Sequence, residues 1–195
     1  MKRSGIIFII SGPSGSGKTT LLKKLIASKE LQGKLIKSVS LTTRPRRPRE
    51  LEGEDYFFIS KAEFKKRLAA KKILEWTRYL GYYYATPKDF LERNLGANKH
   101  RALCLDLRGA AKIKRLYPKN TVTIFVMPPS LATLKRRIAN RRCKTKREEI
   151  TQRMQLAIRE LCATKRYDYR ILNKDLRLAL KELKDIVFSN IKYQT

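Results

Sequence analysis

The sequence is short of the residues that most enzyme chemistries need. It has one histidine, His100, and three cysteines, Cys104, Cys143 and Cys162, none in a CxxC spacing. A lone histidine excludes a multi-histidine metal centre and leaves a Ser-His-Asp triad without support. Scattered cysteines argue against a disulfide framework and fit a reducing compartment, so a cytoplasmic location is expected. Long hydrophobic runs are missing too. Ile6–Ile10 is far too short to span a membrane. Lys2 and Arg3 before it imitate a secretion signal, but no small-residue cleavage site follows. Acids are scarce, 17 against 46 basic residues, for a net charge of +29. What remains is ordinary. The 195 residues are 42% apolar, enough for one domain with a buried core.

The charge is uneven. Residues 1–50 carry 12 basic and 2 acidic side chains, residues 101–150 carry 14 and 3, and residues 51–100 carry 10 and 7. Lys135 to Arg147 holds eight basic residues and no acid. Two basic clusters around a more acidic segment suit an anion-binding cleft built from three parts of the chain. They suit plain solvated charge equally well.

Ile6-Ile7-Phe8-Ile9-Ile10 is β-branched without alternation, the pattern of a strand buried on both faces. A Gly-rich turn and a helical pattern from Thr19 to Ile26 follow. Strands are expected at Lys34–Leu41, Tyr56–Ile59, Arg101–Leu107, Thr121–Met127 and Tyr169–Leu172. Ile73–Trp76 and Tyr82–Tyr84 read as a hairpin. Ser60 with Glu63 forms a capping-box pattern, Pro87 opens a helix that Gly96 closes, and Ser130 caps a helix from Leu131. Glu148–Cys162 carries an apolar stripe of Ile150, Met154, Ala157, Ile158 and Leu161. Leu176, Leu180, Leu183, Ile186 and Val187 mark a closing helix. Alternating strands and helices predict an α/β core with a parallel sheet, interrupted by an antiparallel insertion over 42–86. Cys104 and Cys162 are expected in the core, His100 on the surface, and Trp76 packed behind Glu75. Cys143 is expected to be an ordinary thiol; the cations of the 135–147 run around it give the alternative, a thiol that ionises easily.

Gly12-Pro13-Ser14-Gly15-Ser16-Gly17-Lys18-Thr19 matches GxxxxGK[ST] at every fixed position, between a buried strand and a helix. Glycines let backbone N–H groups turn inward around phosphate oxygens, and the helix N-terminus adds a favourable dipole. Lys18 would reach the β- and γ-phosphates, and the Thr19 hydroxyl would hold Mg²⁺. The motif predicts a nucleoside triphosphate site, with ATP and Mg²⁺ expected. After it, Ser40 to Arg47 sets several guanidinium groups on a Pro-stiffened loop, suited to bidentate phosphate binding. Glu75 is a carboxylate able to accept two N–H bonds from one edge of guanine, which adenine does not offer.

The ordered set SGPSGSGKTTL at 11–21, SVSLTTRPRR at 38–47, GEDYFF at 53–58, ILEW at 73–76, GYYYAT at 81–86, LDLRGA at 105–110 and PPS at 128–130 resembles the guanylate kinase family over nearly the whole chain. The resemblance implies phosphorylation of GMP by ATP. It also implies a P-loop nucleoside monophosphate kinase fold: a parallel five-stranded core sheet flanked by helices, an inserted mixed or antiparallel monophosphate lobe, and a lid. All 195 residues then form a single domain. Core would be 1–37, 91–136 and 150–195, GMP lobe 38–90, and lid 137–149. By position, the resemblance gives Ser40, Arg44, Arg47, Tyr56 and Tyr84 to the GMP phosphate, and Glu75 and Thr86 to guanine. Asp106 falls to the guanine or the Mg²⁺ water shell. Gly12 to Thr20, including Thr20 itself, would hold ATP, with Arg137 and Arg141 gripping its phosphates from the lid, Arg153 joining them, and Asn173 beside the adenine. Lys18, Arg44, Arg137 and Arg141 would be the catalytic cations. Both a monomer and a homodimer fit.

Five positions leave the family pattern: Arg49 and Ala85 stand for glycines, Cys104 for a carboxylate, Arg108 for a glutamine, and Arg142 for a glycine in the lid. Rival readings are a related kinase for a phosphorylated sugar, a non-catalytic binding module of the same family, and a nucleic-acid binder. Nucleic acid is expected to bind only non-specifically. The substitutions add positive charge, remove negative charge or add bulk near the cleft. The KM for GMP is therefore expected to rise steeply with ionic strength, and a flat response would show that the added charge plays no part in capture.

Overall fold

The computed structural model describes residues 5–93, 95, 99–140 and 147–192. In chain order come β1 (Ile7–Ser11), α1 (Lys18–Ile26), β2 (Leu35–Lys37), β3 (Leu41–Thr42), β4 (Phe57–Phe58), α2 (Lys61–Ala69), β5 (Ile73–Tyr79) and β6 (Tyr82–Pro87). Then follow α3 (Lys88–Glu92), β7 (His100–Cys104), α4 (Leu107–Leu116), β8 (Thr121–Met127), α5 (Leu131–Ala139), α6 (Arg147–Cys162), β9 (Tyr169–Leu172) and α7 (Leu176–Lys192).

Every residue of β1 is buried, as its unbroken β-branched run requires. It lies at the centre of a five-stranded parallel sheet of order β2-β7-β1-β8-β9. Its side chains alternate between two cores. Phe8 and Ile10 pack with Leu21, Leu22 and Leu25 of α1 and with Leu183 and Val187 of α7. Ile7 and Ile9 pack with Leu91 of α3 and with Ala110 and Ile113 of α4. Helices thus cover both faces, and the C-terminal end of β1 delivers the glycine-rich loop between them.

A second, mixed sheet has the order β4-β3-β6-β5. β3 pairs with β4 in parallel, and the β3–β6 and β5–β6 pairs are antiparallel. The hairpin turns at Leu80 and Gly81, φ +48° and +83°, the left-handed pair that matches strand twist. Phe64 of α2 stacks on Tyr83 at 4.5 Å, and both meet Trp76 edge-on, so Trp76 packs while keeping 43% of its surface exposed.

The expected strand at 34–41 is two strands in two sheets. The Ser38 N–H donates to Ala102 O in the core sheet, whereas Ser40 O accepts from Phe57 N in the second. A short apolar run reports strand character, not which sheet receives it. The strand expected to reach Leu107 stops at Cys104, because the Asp106 carboxylate accepts the Gly109 N–H at 2.8 Å and starts α4. Ser60 and Ser130 cap as expected, accepting from Glu63 N and Thr133 N. The Glu63 carboxylate pairs with Arg67 and leaves the reciprocal half of the box unmade. On α6, Ile158 and Cys162 face solvent, since that helix turns Arg153 inward instead. Leu176 is also partly exposed. Gly96, Arg141, Arg142 and Cys143 lie outside the described residues.

His100 overturns its surface assignment. It is 5% exposed, its Nδ1 accepts the Ile6 N–H at 3.1 Å, and its ring meets Phe8 edge-on. Local polarity misled: its neighbours are polar, but the strand it opens is buried. Burial pushes the imidazole below its ordinary 6.5. The unfolded chain then binds a proton before the folded one does, so this contribution is intact above about pH 6.5 and fades as pH falls below it. Denaturant midpoints between pH 5 and 8 should show that loss. His100→Asn, whose Oδ1 replaces Nδ1 without titrating, should have a shallower slope. His100→Leu should cost about 1–3 kcal/mol at pH 8 through the orphaned Ile6 N–H.

Candidate functional site

The loop after β1 is held open by three left-handed glycines, Gly12, Gly15 and Gly17. Two are sterically obligatory. A Cβ on Gly12 would lie 2.4 Å from Val126 O, and one on Gly17 would lie 2.2 Å from the Asn173 amide. Pro13 O accepts from Ser16 N at 3.0 Å and from Lys18 Nζ at 3.3 Å, closing the loop on itself. Asn173 donates to Ser16 O at 2.7 Å. The Asn173 side chain therefore fastens the loop as well as bordering its outer mouth.

Two clefts meet at this loop. The smaller, about 330 Å³, is lined by Gly15, Gly17, Thr20, Arg137, Asn173 and Leu176, with Lys18 and Thr19 at its inner end. Arg137 leans over it and donates to Gly15 O at 3.4 Å. The larger, about 620 Å³, runs from Gly12, Ser14, Lys18 and Thr19 across to the second sheet. There it meets Ser40, Arg44, Arg47, Tyr56, Glu75, Tyr84 and Asp106. Lys18 and Thr19 border both spaces. Of the expected site residues, only Arg141 lies outside the described part of the chain.

The arginine loop is organised by an acid that the sequence reading passed over. Glu50 takes both its oxygens to Arg44 Nη2, at 2.8 and 2.9 Å, and accepts from Arg47 N. Burial works against the charge on Glu50, but Arg44 and the Arg47 N–H outweigh it and hold the carboxyl below its usual range. The Arg44 guanidinium also lies over the rings of Tyr56 and Phe58, at 5.6 and 5.8 Å. Arg49, at a glycine position of the pattern, takes φ +71°, a left-handed backbone that strains any residue carrying a Cβ. Ala85 borders the cleft and packs with Leu41 and Phe64.

Glu75 is buried, accepts from the Thr86 hydroxyl at 2.5 Å, and packs on Gly109 so closely that a Cβ there would sit 2.7 Å away. The glycine in LRGA thus makes room for the acid. Burial, aided by the charge of Asp106 and opposed by Thr86, pushes the Glu75 carboxyl up to about 7. Glu160, absent from the sequence reading, also lines the large cleft. Burial pushes it up to about 7 too, with Lys18 opposing and Asp106 adding. Its one signal was placement seven residues after Arg153 on a helix whose cleft side is charged. Cys104 borders the same cleft, half-buried rather than wholly in the core, and burial pushes its thiol up despite Lys18 and Lys37.

A family model described as "Guanylate kinase" matches residues 4–190. The chain belongs to the guanylate kinase family. A guanylate kinase of Methylococcus capsulatus is 41% identical over 94% of this chain and 87% of that relative. One of Caldanaerobacter subterraneus is 39% identical over 97% and 89%. The guanylate kinase structure from Anaplasma phagocytophilum superposes with a TM-score of 0.80 at 31% identity, covering 97% of this chain and 87% of that one. A shikimate kinase from Acinetobacter baumannii, at 16% identity and TM-score 0.51, shares the fold alone. The expected P-loop kinase fold, with its parallel five-stranded sheet, holds for this member of the guanylate kinase family.

Two acids raised to about 7 have a consequence for stability. The folded chain keeps their protons up to that pH, while the unfolded chain loses them above about 4.5. The unliganded protein should lose stability as pH rises through that window. Glu160→Gln should raise the melting temperature by a few degrees at pH 8 and leave it unchanged near pH 4.5. An equal shift at both pH values would assign the effect to packing.

Proposed function

We propose that the protein transfers the γ-phosphoryl group of ATP to GMP, giving GDP and ADP, as a cytoplasmic enzyme of purine nucleotide metabolism. The observation that carries this reading is that Lys18 and Thr19 border both clefts. Two nucleotides entering from opposite sides would meet at those residues.

In this reading residues 38–90 form the GMP lobe, 137–149 the lid and the remainder the core. Glu75 and Thr86 hold guanine, with Asp106 beside them. Ser40, Arg44, Arg47, Tyr56 and Tyr84 hold the acceptor phosphate. The Gly12–Thr20 loop, Arg137, Arg141 and Asn173 hold ATP. Among the described residues no cluster of three or more His, Cys, Asp or Glu could cage a metal ion. That suits Mg²⁺, which keeps most of its water and binds through the nucleotide phosphates and one hydroxyl, here the exposed Thr19. Bound there, it would neutralise charge on the β- and γ-phosphates.

The chain's own work is positioning and neutralisation. The GMP phosphate is already an anionic nucleophile, so no side chain has to remove its proton. Arg44 and Arg47 draw it in, displacing Glu50 from Arg44, which must part with that carboxylate to bind phosphate bidentately. Lys18 faces the γ-phosphate and stabilises the charge that spreads over it in transfer. Closure over both clefts would exclude water and limit ATP hydrolysis. A buried carboxylate beside Thr86 favours guanine over adenine, because it can accept two N–H bonds from one edge of guanine that adenine does not offer. No described helix is long and apolar enough to cross a membrane. Nucleic acid would meet only the general positive charge. All proposed site residues come from one chain, so a monomer or a homodimer could carry them.

ADP release with Mg-ATP and GMP, AMP, CMP or UMP in turn tests the reading. Release should require GMP and fall at least about 100-fold in kcat/KM for Glu75→Ala, which removes the acceptor for both guanine N–H groups. The KM for GMP should fall as pH rises from 6 to 8, as Glu75 ionises, and Glu75→Gln should flatten that slope. Equal activity with AMP would overturn the guanine assignment.

A further inference from the structure

Arg153 reaches from α6 to three partners at once. Its Nη1 donates to Ser14 Oγ of the phosphate loop at 3.0 Å, and its Nε and Nη2 bind Glu149 at 2.9 and 2.5 Å. Its guanidinium carbon lies 6.0 Å from the ring centroid of Tyr79. Arg153 is only 6% exposed, so this cation is largely stripped of water.

Tyr79 belongs to the other side of the cleft. It ends β5 and precedes the left-handed Leu80–Gly81 turn. The ring meets Tyr84 edge-on at 6.4 Å, and Tyr84 meets Tyr56 edge-on at 5.8 Å. Tyr56 in turn carries the Arg44 guanidinium at 5.6 Å. Six cleft-lining side chains, Arg44, Tyr56, Tyr84, Tyr79, Arg153 and Ser14, therefore form one unbroken series. It starts among the proposed acceptor-phosphate ligands and ends on the donor loop.

We propose that Tyr79 is a positioning residue that holds the Arg153 guanidinium on Ser14 and so couples GMP occupancy to ATP affinity. The proposal rests on the guanylate kinase reading and deepens it. Glu149 and Ser14 engage the edges of the guanidinium, and the Tyr79 ring lies at cation–π distance from its centre. That attraction is stronger where water is excluded. GMP phosphate bound by Arg44, Tyr56 and Tyr84 fixes Tyr84, which fixes Tyr79, and Arg153 then meets incoming triphosphate already aimed at the loop. Pre-ordering of this kind lowers the cost of the second binding event, and the coupling must be reciprocal.

The test uses the full chain and the β,γ-imido analogue of ATP, titrated with and without saturating GMP. In the wild type GMP should tighten analogue binding. Tyr79→Leu should shrink that factor by about 3–10-fold, the equivalent of a partly desolvated cation–ring contact. It should leave the affinity for GMP alone within about twofold, because Tyr79 meets the acceptor ligands edge-on at the Tyr84 ring, at 6.4 Å, and is not itself one of them. Tyr79→Phe should restore the wild-type factor. Tyr79→Met, unbranched and of similar reach, replaces the leucine variant if that fails to fold. In a double-mutant cycle, Ser14→Ala should make Tyr79→Leu nearly silent.

Three results would overturn the proposal: no coupling in the wild type, full coupling in Tyr79→Leu, or coupling kept while GMP affinity collapses. The last would make Tyr79 a mere support for Tyr84. GMP-dependent ADP release from the same wild-type preparation separates the two readings. Its absence refutes the kinase assignment, and its presence with unaltered coupling refutes only the role of Tyr79.

Discussion

Two nucleotides that exchange a phosphoryl group must bring their phosphates together, and like charges about 4 Å apart repel. Each pair of unit charges costs about 1 kcal/mol in water and about 4 kcal/mol at the effective dielectric of a protein surface. Excluding water, which protects ATP from hydrolysis, makes that repulsion worse. The site must therefore supply its own cations, fixed in place before the phosphates arrive. Lys18, Arg44, Arg47, Arg137 and Arg153 all line one cleft or the other; the cationic groups of Lys18, Arg44, Arg137 and Arg153 are tied by hydrogen bonds or ion pairs, and Arg47 is held through its backbone N–H. Part of the +29 charge has a function in this light. Nothing in the structure explains the rest.

The same constraint accounts for acids inside a basic cleft. Glu50 and Glu149 hold Arg44 and Arg153 in the absence of substrate, so the guanidinium groups neither collapse nor repel one another. Glu75 and Glu160 are different. Neither has a salt-bridge partner within its own neighbourhood of the described cleft, and burial makes both reluctant to ionise. A buried carboxyl of that kind weakens the empty protein and is retained where a ligand repays it. In the proposed reading, Glu75 meets that description through the donor edge of guanine.

The two sheets explain how both sets of ligands reach one place. The chain leaves the core sheet after β2 and enters the second at β3 within three residues, Ser38 to Ser40. Lys37 and Lys23 tie the returning loop back to the core, through the Glu54 and Asp55 carbonyls and the Asp55 carboxylate. The second sheet is thus pinned near its root while its hairpin end faces α6. Movement about that root would change the distance between Tyr79 and Arg153 more than any distance inside either sheet.

Some of this was legible from sequence because it is local. The phosphate loop is eight consecutive residues whose glycines and lysine serve the backbone they sit on, and β1 announces its burial by its own unbroken run. Caps such as Ser60 and Ser130 act within three residues. The resemblance to a family then placed Glu75, Arg44 and Tyr84, which residue chemistry alone left open. What lay hidden depends on residues far apart in the chain. His100 looked like surface because its neighbours are polar, yet Ile6 buries and employs it. The run at 34–41 looked like one strand because a hydrophobic pattern cannot name its sheet. Glu160 looked like one more helix acid, and only its burial in the assembled cleft, with Asp106 adding and Lys18 opposing, gave it a raised pKa. Burial and electrostatic coupling are properties of assembled neighbours, so only the tertiary structure could decide them.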